Sequence, residues 1–323
     1  NFAAVSSAAL GLSAVAIRFR PIPDYGDVPE MQSRYRTMNL KQEPKILLAC
    51  RSITMLTGSL GSKLLMYIMN SLTIVKNDHY YYWLSTIRSR PQGQPLITVA
   101  NHVTCLDDPG LMGGLVPFDV IANPLKFRWG ICEQNVCFGK NKFKQGMAGL
   151  GQALPVWRGG GVDQPLLLDV ARRVANGDWV HIFPEGRVLQ SGELAQDEIT
   201  TRDAACIARK GRLKWGVGKL VAHSPVPPVL IPWHHSGMAP ILPQNAEWRT
   251  APDGSRYFDN KLKTWIPRVG HRVTVEFGPP VRFDDLIDRH EKVHGPLRKV
   301  SPDADGFAEA LPWWQQSSEA GRQ

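Results

Sequence analysis

The 323-residue chain has no Gly-x-Ser-x-Gly nucleophile elbow, which disfavours a soluble serine esterase. Gly159-Gly160-Gly161 fits neither phosphate-loop spacing and reads as a hinge or a close-approach loop, so no nucleotide cofactor is expected. Ribonucleoprotein-type aromatic motifs and helix-turn-helix patterns are missing, which argues against nucleic acid as a partner. The five cysteines (Cys50, Cys105, Cys132, Cys137 and Cys206) are odd in number and lack disulfide-scaffold or paired Cys-x-x-Cys spacing. Mostly reduced, buried thiols and no metal are therefore expected. Long uncharged runs are scarce as well. Asn1 to Ile17 carries no charge but is rich in small residues, and it only touches the lower limit of about 17 residues for crossing a bilayer. It resembles part of a mitochondrial presequence or a short anchor, and a loose tail is an equal alternative.

Ile46 to Val75 is more apolar, yet Arg51 and Lys63 divide it. At about 3 kcal/mol for each charge at the bilayer centre, a simple span is disfavoured. Two readings remain: an amphipathic segment lying on a membrane with its basic side chains snorkelling to headgroups, or the core of a packed helix pair. A hydrophobic content of 43% with 21% charged residues is globular composition. Thirty-eight basic against twenty-nine acidic side chains give a formal charge of +9, which favours an anionic partner, and lipid headgroups fit better than nucleic acid.

Strand-like and helix-like runs alternate from Leu96 onward, the pattern of an α/β fold with helices covering a central mixed sheet. Candidate strands are Leu96 to Ala100, Asp119 to Ala122, Ala153 to Trp157, Trp179 to Phe183, Val229 to Ile231 and Val273 to Phe277. Leu166 to Asn176 reads as a helix closed by Gly177, and Asp284 to Lys292 as another. Expected units are 1–23 as presequence remnant or anchor and 24–92 as a helical, membrane-associated segment. An enzymatic domain over 93–300 and a polar tail over 301–323 follow.

The chemistry centres on Asn101-His102-Val103-Thr104-Cys105-Leu106-Asp107-Asp108-Pro109, placed directly after the first buried strand. Asp108-Pro109 reads as a helix N-cap followed by proline at the first helical position, so His102 falls in a strand-to-helix loop. On a continuous helix residues five apart would diverge by about 140°, whereas a returning loop can join them. The carboxylate of Asp107 would then fix the tautomer of His102 and leave its other nitrogen to take a proton from an alcohol. Plain helix punctuation beside a surface histidine accounts for the same nine residues. Gly177 to Arg187 repeats the design, with an apolar strand, a proline stop, then Glu185, Gly186 and Arg187. Glycine permits close backbone approach, and the guanidinium fork suits phosphate oxygens. Cys105 is a minor candidate for an acyl-accepting nucleophile.

These blocks resemble the glycerophospholipid acyltransferase family, marked by a histidine, four residues and an aspartate, with a later Phe-Pro-Glu-Gly block. Leu213 to Gly218, Val229 to His234 with Gly237-Met238, and Pro267 to Gly270 resemble its tafazzin branch in particular, and the likeness runs in order from Leu96 to Phe283. Thr104 stands where the family has serine, Arg187 where tafazzins often have lysine, and the stretch between Arg187 and Leu213 is longer. The resemblance implies that His102 and Asp107 are the catalytic pair and that Arg158, Glu185, Gly186 and Arg187 bind substrate. It also implies a glycerol-phosphate-acyltransferase-like fold. By the same route, the activity is transfer of acyl chains between a phospholipid and a lysophospholipid, with cardiolipin as acceptor or product. No cofactor is needed, because exchanging one glycerol ester for another is nearly thermoneutral. The implied location is an anionic mitochondrial membrane, the inner one, with interfacial attachment. Two alternatives stay open: an acyl-CoA donor, and a lipid-binding structural subunit of a mitochondrial membrane complex.

Overall fold

The computed structural model describes residues 43–138, 141–156, 165–190, 216–244, 247–250, 252, 254, 256–259, 262–295 and 297. The expected N-terminal presequence or anchor, Arg158 with the triple glycine, nearly all of the extra stretch after Arg187, and the polar tail lie outside the described residues.

Helix α1 (Lys45–Lys63) buries Leu47, Cys50, Arg51, Thr54, Met55 and Ser59, a spacing of three and four residues that makes one inward stripe. A π-helical turn, Leu64–Met69, extends it to Asn70, where the backbone becomes extended and β1 (Ser71–Ile74) begins. Helix α2 (Asp78–Ser89) starts under the cap of Asn77, whose side chain accepts a hydrogen bond from Tyr80 N. It stops at Arg90, which Pro91 forces out of the helical region. Strand β2 (Leu96–Ala100) leads through the His102 loop into the short helices α3 (Met112–Leu115) and α4 (Phe118–Ile121). Then come β3 (Trp129–Glu133), α5 (Gln134–Cys137), α6 (Lys142–Leu150), β4 (Ala153–Val156) and α7 (Pro165–Ala175). The order continues with β5 (Trp179–Ile182), α8 (Gly216–His223), β6 (Val229–Ser236), a hairpin of β7 (Glu247–Thr250) and β8 (Arg256–Asp259), β9 (Arg272–Phe277) and α9 (Asp284–His294).

Seven strands make one mixed sheet in the order β1-β9-β6-β2-β5-β3-β4. All neighbouring pairs are parallel except β6 with β9. Because side chains alternate along a strand, Leu96 faces one core layer and Ile97 the other. The first layer gathers Trp83, Met66, Leu111, Trp179, Trp233 and Phe277, and the second Trp129, Leu154, Val170, Val180 and Leu220. The antiparallel pairing of β9 has a positional effect. The C-terminal ends of β2, β5 and β6 share one edge of the sheet with the starts of β9 and β1.

Several expectations are corrected. Residues 119–121 are helical rather than extended, with Ala122 at the C-cap, since Pro117 opens a turn in which Val120 and Ile121 pack inward together. Cys132 and Cys137 form a disulfide, with Cα atoms 6.2 Å apart, because the turn from β3 into α5 folds the two back on each other. Arg51 and Lys63 do not snorkel. Arg51 is buried and paired with Glu43, and Lys63 donates to the carbonyls of Gly114 and Val116, its ammonium lowered to about 8 by burial. The inner face of the segment is core, as the packed reading expects, and its outer face leaves Ile46, Leu60 and Ile68 exposed. Among the described residues no helix is long and apolar enough to cross a membrane.

Candidate active site

His102 follows β2 by two residues, at the C-terminal edge of the sheet where parallel strands present their loops. Its Nδ1 lies 3.0 Å from Asp107 Oδ2. The same oxygen accepts hydrogen bonds from the backbone N–H groups of Val103 (2.7 Å) and Thr104 (2.9 Å), so three donors converge on one carboxylate oxygen. The loop closes where Asp107 N donates to Thr104 O. A carboxylate held this way can only accept, so Nδ1 carries the proton and Nε2 presents its lone pair. Asp107 is fully buried, whereas the His102 side chain is 19% exposed and lies flat on Phe183, with ring centroids 4.1 Å apart. The arrangement suits an imidazole that gains and loses a proton at one nitrogen only.

Asp108, expected as a cap, makes no capping hydrogen bond. Its backbone is extended ahead of Pro109, and its carboxylate pairs with Arg128. Thr104 Oγ1 donates to Leu242 O, Cys105 N donates to Gln244 Oε1, and Gln244 N donates to Gln190 Oε1. The segment after β6 thus braces the His102 loop from outside. The Cys105 thiol is pushed up by burial first and by Asp107 next, opposite to what a thiolate nucleophile requires.

The Glu185 loop meets the His102 loop directly. Glu185 Oε2 accepts from His102 N at 3.1 Å, and Leu189 N donates to His102 O. Burial raises the Glu185 carboxyl above its ordinary range, a shift opposed by the His102 N–H and, more weakly, by the Arg187 charge. Gly186 turns the chain with φ 68° while its N–H donates to Phe183 O. The structure therefore brings together His102, Asp107, Glu185 and Gly186, with Arg187 next in the same loop. Among the described residues no group of three His, Cys, Asp or Glu side chains is arranged to hold a metal.

Sequence reasoning missed two buried histidines. His235, on β6, donates from Nε2 to Asn101 O at 2.9 Å and stands 3.6 Å from Asp107 Oδ2. Asn101 returns two hydrogen bonds to the His235 backbone and so locks β6 to the loop. His181, on β5, uses Nδ1 against Thr98, whose hydroxyl also accepts from Trp179 Nε1. The period of two in His234-His235 is the signal that one of those rings must face inward. Burial lowers His181 well below the usual histidine value, with Arg128 adding to it. Burial also lowers His235, against the opposing pull of Asp107. Both are neutral in the fold and protonate below about 6.5 in the unfolded chain. Stability should therefore be full above that pH and fall as pH drops below it, at up to about 1.4 kcal/mol per pH unit for each histidine. Urea melts at pH 7.5, 6.5 and 5.5 check this, and His181→Asn should flatten the trend. An unchanged midpoint across that range would contradict the assignment.

Residues 84–236 match the family model described as Acyltransferase. The chain is 31% identical over 226 residues to tafazzin of Drosophila melanogaster, covering 70% of this chain and 50% of that protein. It is 33% identical over 204 residues to the N-acylphosphatidylethanolamine synthase of Arabidopsis thaliana, covering 62% of this chain and 61% of that one. With tafazzin of Saccharomyces cerevisiae it shares 25% identity over 237 residues, 64% of this chain and 56% of the relative. The chain thus spans between half and about three-fifths of the length of these relatives. Residues 84–236 are thus similar to the Acyltransferase family model, and the chain is similar in sequence to tafazzins.

Proposed function

We propose that this chain is a membrane-associated phospholipid–lysophospholipid transacylase. The observation that carries the reading is the 3.0 Å contact of His102 Nδ1 with Asp107 Oδ2 at the exposed edge of the sheet. His102 Nε2 takes the proton from the free hydroxyl of a lysophospholipid as that oxygen attacks an ester carbonyl of the donor lipid. Asp107 steadies the imidazolium, which then returns the proton to the departing alkoxide. Atoms and charge balance without a nucleotide or metal, because one ester replaces another. Glu185 and Gly186 shape the loop beside His102, and Arg187, with Arg158, grips the phosphate so that the hydroxyl lies beside Nε2. The catalytic unit is taken as residues 93–300.

Substrate physics sets the location. At about 0.8 kcal/mol per buried CH₂, drawing an eighteen-carbon chain wholly into water would cost about 14 kcal/mol, so the site must work at a bilayer surface. Cardiolipin as acceptor or product, the mitochondrial inner membrane as the place, and association with a mitochondrial membrane complex belong to the same proposal and rest on the family resemblance, while the formal charge of +9 suits an anionic lipid. Purified protein given lysocardiolipin and labelled phosphatidylcholine, without CoA, should transfer label. Strict dependence on added acyl-CoA would favour the CoA-linked alternative. The name of the Arabidopsis relative supports one further arm of the assay, with phosphatidylethanolamine as acceptor. Label appearing as amide rather than ester there would move the acceptor from hydroxyl to amine.

A further inference from the structure

The edge of the sheet that carries His102 also carries an apolar patch that the chemistry above does not use. The π-helical turn ends at Met69, and Gly270 N donates to Met69 O while Asn70 Nδ2 reaches Arg268 O. These contacts hold the loop before β9 against the end of the helix. Leu64, Ile68 and Met69 from one segment, and Trp265, Ile266 and Val269 from the other, are all exposed, with Ile68, Trp265 and Ile266 at 76%, 81% and 77%. Exposure that high in large apolar side chains marks a surface meant to be covered. The loop is also tied to the His102 site. Arg268 N donates to Ile241 O and Lys263 N to Pro243 O, and the next carbonyl before Pro243, Leu242 O, accepts from Thr104 Oγ1.

Charge identifies the occupant. Between Glu43 and Asp78 the chain has no acid, but Arg51 and Lys63 there are held inward, so the charge at the patch comes from the loop before β9. Between Asp259 and Glu276 it has Lys261, Lys263, Arg268 and Arg272, again with no acid. The side chains of Arg268 and Arg272 are exposed beside the apolar patch. A tryptophan and aliphatic residues rimmed by arginines match the interface of a bilayer, where the ring sits at headgroup depth and the cations meet phosphates. We propose that Leu64, Ile68 and Met69 together with Trp265, Ile266 and Val269 insert into the surface of an anionic phospholipid bilayer, with Arg268 and Arg272 on its headgroups. The inference rests on the transacylase reading for its purpose: it sets the His102 loop at the lipid surface, so that an acyl chain reaches it without crossing water.

Flotation of the full chain with phosphatidylcholine vesicles, with and without an anionic phospholipid, tests it. Trp265→Ser with Ile266→Ser should cut the partition coefficient by about tenfold or more, with the melting midpoint unchanged since both side chains are exposed. Arg268→Gln and Arg272→Gln should each cost about fivefold on anionic vesicles at low salt, and little on neutral ones. Brominated lipid should quench the part of the fluorescence that Trp265→Phe removes. Partition of the serine variant equal to that of the parent would overturn the proposal, as would absence of Trp265 quenching, which would mean another occupant. Turnover of detergent-dispersed lipid by the serine variant should match the parent. A parent chain that binds vesicles in this way yet exchanges no acyl groups would sink the transacylase reading and leave the membrane surface standing.

Discussion

Replacing His102 by alanine should lower lipid exchange by about a hundred- to ten-thousandfold, the range a positioned general base contributes. Substrate binding should change far less, because the side chain removed acts on a proton rather than on the headgroup or acyl chains. The fold should survive. Asp107 would keep the Val103 and Thr104 N–H donors, and Glu185 would keep its bond from the residue-102 backbone. Matched melting curves with lost turnover would isolate the chemistry, and His102→Gln should be equally inactive since an amide cannot take the proton. Less than tenfold loss would falsify the role of His102 as base. It would leave the loop as a structural turn.

Arg51→Met should destabilise the fold by about 3–5 kcal/mol, the cost of leaving one member of a buried ion pair without its partner. Arg51 and Glu43 have side chains only 2% exposed, joined by two hydrogen bonds of 2.7 and 2.9 Å. Arg51 also donates to the carbonyls of Gly149 and Leu150 and so pins α1 to the end of α6. Removing both charges, in Glu43→Met with Arg51→Met, should restore much of the loss, because no uncompensated charge then remains buried. A urea-unfolding cycle over the two single variants and the double variant measures the coupling. Equal losses in the Arg51 single and the double variant would mean that the carbonyl contacts, and not the ion pair, carry the effect.

The parts of this fold that were legible from residues are those where local pattern and tertiary context agree. Strand β2 matches its expected limits because four apolar residues around Thr98 end at a loop, and β5 and β9 differ by one residue. Strand β6 runs five residues past Ile231, since Pro232 and the polar histidines hide a strand that pairs with β2 on one side and β9 on the other. Strand β3 went unseen because Gly130, Cys132 and Glu133 dilute its apolar signal; Gly130 is small because a Cβ there would come within 2.7 Å of the Asp108 carboxylate. At the site, His102, Asp107 and Glu185 were readable because their loops follow strands and carry chemistry in one short span. His235 was not, since it stands 128 positions beyond Asp107 and only the pairing of β6 with β2 brings them together. The burial of Arg51 was likewise invisible: a charge in an apolar run looks like a surface residue until its partner is located.

The pairing of Ser71 with Arg272 joins strands two hundred positions apart. During synthesis at about 5–20 residues per second, β1 waits roughly 10–40 s before β9 emerges to receive it. Until then Leu72 lacks the strand that flanks it in the fold, whereas α1 already has α3 and α6 to pack on, through Ser59 with Gly113 and Arg51 with Gly149. Pairing across so long a separation is slow to form, because the loop-closure entropy is lost before the contacts are gained. A stalled ribosome carrying everything up to residue 270 would hold a protease-sensitive, aggregation-prone intermediate.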